Sequence, residues 1–101
     1  MNSTNVLVAV RREQASRYYK ALGNQQNFST DIVSALQDVQ DALADRDKHV
    51  DVLVLDNALG AVYELIDEVR LSRPRLFIVL VDEEADFGTP GQADELTTDP
   101  F

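Results

Sequence analysis

The sequence contains no cysteine and no tryptophan, and its 101 residues include only four glycines and three prolines. Without cysteine the chain has no disulfide framework, no thiolate zinc site and no cysteine nucleophile, which fits a cytoplasmic protein. Its longest apolar run, residues 76–81, is far shorter than the roughly 20 residues that cross a bilayer. The polar N-terminus lacks the basic and apolar segments of a signal peptide.

Basic residues are also scarce, because 9 Lys and Arg face 18 Asp and Glu, for a net charge of -9. Such a surface repels phosphate backbones and anionic lipids, so we expect no nucleic-acid and no membrane binding. A protein partner with a basic surface is favoured instead. The length and the hydrophobic content of 45% predict one folded domain spanning residues 1–101.

Three apolar runs, at residues 6–10, 50–55 and 76–81, predict strands that are buried on both faces, as is typical of a parallel sheet. Residues 28–33 form a weaker candidate strand, and a short strand is expected around residues 96–98. Strands that alternate with helices predict an α/β fold, a three-layer doubly wound parallel sheet.

Helical spacing of apolar residues predicts three helices between these strands, at residues 13–22, from 34 to about 47, and from 59 to just before Pro74. In the first helix, Tyr18 and Tyr19 are expected to divide between core and surface. Ser34 and Gln37 have the spacing of a capping box, which predicts the start of the second helix. Residues 82–95 have no periodic apolar face, so a fourth helix is expected to be absent or degraded.

Charged residues follow the buried strands at their carboxyl ends, where ligands bind in sheets of this type. This predicts that Arg11, Arg12, Asp56 and Asp82 lie close together at one edge. His49, the only histidine, lies in a polar turn and is expected to be exposed without a catalytic role.

Three features of this pattern resemble the receiver domain of two-component response regulators. Asp56 ends a buried strand where receivers carry the phospho-acceptor aspartate, and Arg11-Arg12 stands where they carry an acidic pair that holds magnesium. Residues 92–101 resemble the motif in which Gly-Ala-Asp-Asp leads through the fifth strand to Lys-Pro-Phe. The resemblance implies a flavodoxin/CheY-like sheet of order 2-1-3-4-5, with helix 4 degraded and helix 5 missing.

The sequence departs from the receiver pattern at most of the phosphotransfer positions. Besides the arginine pair, Val81 replaces the Ser or Thr that ends the fourth strand, and Asp99 replaces the lysine before Pro-Phe. Magnesium binds oxygen ligands, so two arginines neither ligate nor attract it. We therefore expect a degenerate phospho-acceptor site with no catalytic residue, no metal and no cofactor.

The charges of this site are inverted rather than simply lost, since two arginines face Asp56 and Asp99. We hypothesise that at least one arginine pairs with a carboxylate and replaces the metal, because a guanidinium suits a carboxylate geometrically. Successive residues of a strand point to opposite faces, which leaves open whether both arginines reach the site. Simpler interpretations also stand: Asp56 caps the next helix, and the arginines are two solvated charges.

Without a fifth helix, one face of the sheet and the region around Phe101 are expected to be open to water. An exposed apolar patch of this kind is typical of an interface, for which Phe87, Pro100 and Phe101 are candidates. The patch is compatible with a domain truncated before its last helix, with a homodimer, or with another partner that docks a helix there.

The sequence therefore predicts a bacterial, cytoplasmic pseudo-receiver, a non-enzymatic signalling module that acts through protein-protein interaction without phosphotransfer. The first alternative is an atypical receiver that a histidine kinase phosphorylates on Asp56. A small enzyme or nucleotide binder is a third interpretation, but the turn after the first strand, Arg11-Arg12-Glu13-Gln14, lacks the glycines that cradle phosphates.

Overall fold

The computed structural model describes residues 4–23, 28–45, 47, 49–81 and 95–97, and for residues 21–23 and 95–97 it describes the main chain only. Five parallel strands form one sheet in the order β2-β1-β3-β4-β5, which confirms the predicted strand order. The strands are β1 Thr4–Ala9, β2 Phe28–Val33, β3 Val52–Asp56, β4 Phe77–Val81 and β5 Glu95–Thr97.

Three α-helices lie in the described part of the chain: α1 Ala15–Gly23, α2 Leu36–Ala44 and α3 Val62–Ser72. Short 3-10 turns, Arg12–Gln14 and Asn57–Leu59, lie between a strand and the helix after it. Within the described residues, no helix combines the length and the apolar composition needed to cross a bilayer.

The larger core cluster lies between one face of the sheet and the helices α2 and α3. Alternate strand residues such as Leu7, Leu53 and Ile78 are fully buried there. Val39 of α2 and Ile66 of α3 pack in the same cluster. Because side chains alternate across a strand, the residues between them point to the opposite face.

The smaller cluster covers that opposite face, where Val8, Val54 and Val81 pack with Tyr18 of α1. Tyr18 is 3% exposed and Tyr19 is 58% exposed, so the predicted division of the two tyrosines between core and surface is confirmed. The two clusters give the three layers expected from the sequence, with α1 on one side of the sheet and α2 and α3 on the other.

The predicted start and end of α2 are both wrong by a few residues. Ala35 occupies the N-cap position and no side chain caps the helix, so Ser34 and Gln37 form no capping box. The Gln37 side chain instead donates to Asp41 Oδ1, one helical turn further on, at 3.0 Å. The helix ends at Ala44 because Asp45 is extended and its Oδ1 accepts the N–H of Asp47 at 3.0 Å, forming a turn.

The region of the expected fourth helix, residues 82–94, lies outside the described residues, and the fifth helix would follow Phe101, which is also outside them. The description of a single domain that is truncated before its last helix therefore stays a prediction.

Candidate functional site

Asp56 is the last residue of β3, at the edge of the sheet where the parallel strands end. Its Cα is paired in register with that of Val81, the last residue of β4. At 5% exposure it is the only charged or polar residue in the buried class among the residues that the structure describes. A buried carboxylate requires hydrogen-bond donors, and these define the site.

Both oxygens of the Asp56 carboxylate accept hydrogen bonds. The Arg11 Nε–H donates to Oδ2 at 2.9 Å, and the main-chain N–H of Arg11 donates to the same oxygen at 3.3 Å. The main-chain N–H of Ala58 donates to Oδ1 at 3.0 Å. Asp56 is thereby the N-cap of the 3-10 turn Asn57–Leu59 and the acidic partner of an ion pair.

Local backbone geometry brings Arg11 to this carboxylate. β1 is extended by the hydrogen bond from the N–H of Val10 to the carbonyl of Val33, 3.1 Å long. Arg11 then keeps an extended conformation as N-cap of the turn Arg12–Gln14, and its carbonyl accepts the N–H of Gln14 at 2.9 Å. The Arg11 main-chain N–H and side chain both reach Oδ2 from this position.

Arg12 does not take part in the site. It is exposed, and in the described part of the chain its side chain has no hydrogen-bond or ion-pair partner. The hypothesis that at least one arginine pairs with a carboxylate is confirmed for Arg11 and Asp56. The choice left open between the two arginines is decided in favour of Arg11.

Solved structures that superpose on the chain include receiver domains and a response regulator. A receiver domain protein (CheY-like) from Methanospirillum hungatei superposes with a TM-score of 0.80 at 13% identity, over 99% of this chain and 84% of that one. An orphan response regulator of H. pylori superposes with a TM-score of 0.79 at 12% identity, over 99% and 86% of the two chains. The chain has the receiver fold.

A third structure of the same fold is a BeF3-activated DrrB receiver domain, with a TM-score of 0.76 at 21% identity, over 100% of this chain and 87% of that one. No protein-family model and no curated protein matches the sequence. Because the sequence identities are low, these comparisons show that the chain shares the fold of receivers.

Within this receiver fold, Val81 occupies the site position next to Asp56 on the neighbouring strand. It is 7% exposed and packs in the apolar cluster with Val54 and Tyr18. The fourth strand therefore ends in a packed aliphatic side chain beside Asp56. A Ser or Thr at this position would carry a hydroxyl, which Val81 lacks.

Five of the residues singled out from the sequence lie outside the described residues: Asp82, Phe87, Asp99, Pro100 and Phe101. Their roles at the site edge and in an interface stay predictions.

The side chains that the structure brings together at Asp56 do not fit a magnesium ion. Mg²⁺ prefers several oxygen ligands, including carboxylates. Here Asp56 supplies the only carboxylate of the described cluster, and the Arg11 guanidinium lies 2.9 Å from its Oδ2. Among the described residues, no three side chains of His, Cys, Asp or Glu are grouped so that they could hold a metal.

The contribution of the Arg11 main-chain N–H was missed in the sequence. The Ala58 N–H agrees with the simpler interpretation that Asp56 is a cap, although the segment it caps is a 3-10 turn and not a helix. His49 is exposed as expected, but its Nε2 lies 2.7 Å from Asp51 Oδ1. No pattern in the sequence indicated that these two residues would pair.

Proposed function

We propose that the chain is a pseudo-receiver, a non-enzymatic signalling module of the cytoplasm that acts by binding another protein rather than by phosphotransfer. The observation that carries the proposal is the ion pair between Arg11 and Asp56, whose side chains are 29% and 7% exposed. It supports the proposal because the cation occupies one oxygen of the group that would accept a phosphoryl group.

The chemistry of phosphotransfer supports the same conclusion. Transfer to a carboxylate needs a divalent cation and hydrogen-bond donors that stabilise the charge developing on the phosphoryl group. Arg11 repels a divalent cation, and Val81 offers no hydroxyl from the neighbouring strand. Attack by Asp56 would further require Oδ2 to leave Arg11, or Oδ1 to leave the N–H of Ala58.

The alternative function is that of an atypical receiver phosphorylated on Asp56. It is favoured by the place of this carboxylate at the carboxyl edge of the sheet, and by the similarity in fold to a BeF3-activated DrrB receiver domain. In this alternative, Arg11 would itself contact the phosphoryl oxygens, since a guanidinium binds phosphate as well as carboxylate.

Amide NMR spectra with and without magnesium and beryllofluoride separate the two functions. For a pseudo-receiver we expect no saturable shift at residues 11, 56, 58 and 81 in a well-folded sample. Saturable shifts at these residues that disappear in Asp56→Asn would overturn the proposal and establish a working phospho-switch. The Asp56→Asn variant is a matched control because its amide oxygen can still accept the N–H of Ala58.

Partner binding is the positive part of the proposal. The net charge of -9 favours a protein partner with a basic surface, and pairing of two copies remains a second mode of association. Sedimentation of the purified chain at several concentrations tests the homodimer. Retention on a column of cytoplasmic proteins, compared at low and high salt, tests the basic partner, since electrostatic attraction weakens as salt screens it.

A further inference from the structure

A cleft of about 320 Å³ lies at the edge of the sheet opposite to Asp56, where β3 and β4 begin. It is lined by two short segments, residues 49–51 before β3 and residues 73–76 before β4. None of these residues takes part in the proposed function, so the inference drawn from them is independent of it.

The second segment is a turn held in a fixed shape. The N–H of Leu76 donates to the carbonyl of Arg73 at 3.2 Å, and Pro74 occupies the second position, where its fixed φ favours a turn. From α3, Arg70 Nη1 donates to the carbonyls of Pro74 at 3.2 Å and Leu76 at 2.5 Å. Arg75 therefore projects from a turn that is closed internally and anchored to a helix.

Asp51 supplies the only carboxylate among the described residues that line the cleft, and both of its oxygens are occupied. Oδ2 accepts the main-chain N–H of Asn5 at 2.8 Å, and Oδ1 lies 2.7 Å from Nε2 of His49. Because a carboxylate accepts, this contact places a proton on Nε2 and fixes the orientation of the imidazole ring. Both oxygens of the Asp51 carboxylate therefore already have partners, the main chain of Asn5 and the imidazole of His49.

Within the described residues, the two arginines of the cleft have no carboxylate partner. Arg73 Nη2 donates to the carbonyls of Leu43 at 3.0 Å and Asp45 at 3.5 Å, which position the guanidinium but do not neutralise it. Arg75 is exposed, and in the described ranges its side chain has no hydrogen-bond or ion-pair partner. At least two cations therefore line the cleft against one carboxylate, in a chain whose net charge is -9.

We propose that this cleft binds an oxyanion, the phosphate or carboxylate group of a small molecule. Arg75 provides the primary contact, and Arg73 and His49 also line the cleft. Planar guanidinium groups bind both kinds of oxyanion through paired hydrogen bonds. Acidic residues farther from the cleft than the Debye length of roughly 8 Å oppose binding only weakly at physiological salt. Asp45 and Asp47, in the loop before His49, act against binding from nearer by.

Amide NMR titrations of the whole chain with inorganic phosphate and with succinate, at pH 7 and constant ionic strength, test the proposal. We expect saturable shifts at residues 49–51, 73 and 75–77 with at least one of the two anions, and the anion that binds identifies the oxyanion. Arg75→Gln should weaken binding roughly tenfold, which is typical of losing a charged hydrogen bond. Arg12→Gln, at the opposite edge of the sheet, is the matched control and should bind like the unaltered chain.

The proposal is overturned if neither anion gives saturable shifts, or if chloride gives the same shifts at equal ionic strength. Equal affinities for Arg75→Gln and the unaltered chain also overturn it. Because Arg75 is exposed and anchors no other residue in the described structure, the variant should give a well-dispersed spectrum, and a loss of binding can then be assigned to the cleft.

Discussion

The ion pair between Arg11 and Asp56 joins a cation whose side chain is 29% exposed to an acid whose side chain is 7% exposed. The two partners therefore depend on each other unequally. Arg11 can be hydrated when Asp56 is removed. Asp56 without the Arg11 side chain is a nearly buried charge whose remaining donors, among the described residues, are the main-chain N–H groups of Arg11 and Ala58. This asymmetry has direct consequences for stability.

Arg11→Ala should lower the free energy of unfolding by about 1 to 2 kcal/mol, because it leaves the buried carboxylate with fewer donors. Urea unfolding measures the change. Asp56→Ala combined with Arg11→Ala should show a coupling energy of about 1 kcal/mol in a double-mutant cycle. Arg12→Ala is the control and should change stability by less than about 0.5 kcal/mol, as an exposed residue does. Equal losses for the two arginine variants would contradict the pairing.

Arg11→Asp with Arg12→Asp should create affinity for magnesium that the unaltered chain lacks. The double substitution places two additional carboxylates directly after β1, and the one at position 11 lies beside Asp56. Carboxylate oxygens are the ligands that Mg²⁺ prefers. We expect magnesium to raise the thermal unfolding temperature of this variant and to leave that of the unaltered chain unchanged. Arg12→Asp alone is the control, since Arg12 is exposed and lies outside the site. Equal responses to magnesium in all three proteins would argue against the arginine substitution as the cause.

Asp51 should contribute stability that is lost in acid. The hydrogen bond from the main-chain N–H of Asn5, and then the contact with His49, hold the pKa of Asp51 below its usual value of 3.8. A lowered folded-state pKa gives stability that is present above 3.8 and disappears as the pH falls through the folded-state pKa. Asp51→Asn should therefore be less stable than the unaltered chain at pH 7, with a difference that shrinks below pH 3.8.

Urea unfolding at a series of pH values between 7 and 2 gives this difference directly. Asp47→Asn is the matched control, because Asp47 is exposed in the same loop and, among the described residues, only its main-chain N–H is bonded, to Asp45 Oδ1. A constant difference between Asp51→Asn and the unaltered chain at all pH values would show that charge at Asp51 does not matter for stability.

Gly60→Ala should destabilise the chain by about 1 to 2 kcal/mol through backbone strain alone. Gly60 has φ 116° and ψ -123°, while a Cβ at this position would meet no atom within 4 Å. Asparagine favours a different region, near φ +57°, so Gly60→Asn should be destabilised as well. Thermal unfolding of both variants measures the effect, and unchanged stability of Gly60→Ala would show that the loop after β3 relaxes without cost.

Apolar patterning determined most of the fold from the sequence. The run at residues 50–55 predicted a strand buried on both faces, and β3 has four buried residues in its five. The strand at residues 28–33 was predicted with its observed bounds. Local chemistry was less reliable at α2, because the spacing of Ser34 and Gln37 matched a capping box that the helix does not use. A capping motif identifies residues that can form hydrogen bonds, but packing decides at which residue the helix begins.

The sequence by itself determined that Asp56 ends a buried strand and that arginines, not carboxylates, follow the first strand. Only the tertiary structure decided that Arg11 rather than Arg12 pairs with Asp56, because the choice depends on the turn after β1. It also decided that Asp51 binds Asn5, 46 residues away along the chain. Periodicity reports which face of an element is buried. The direction of a side chain after the strand ends, and its partner across the sheet, depend on how distant segments come together.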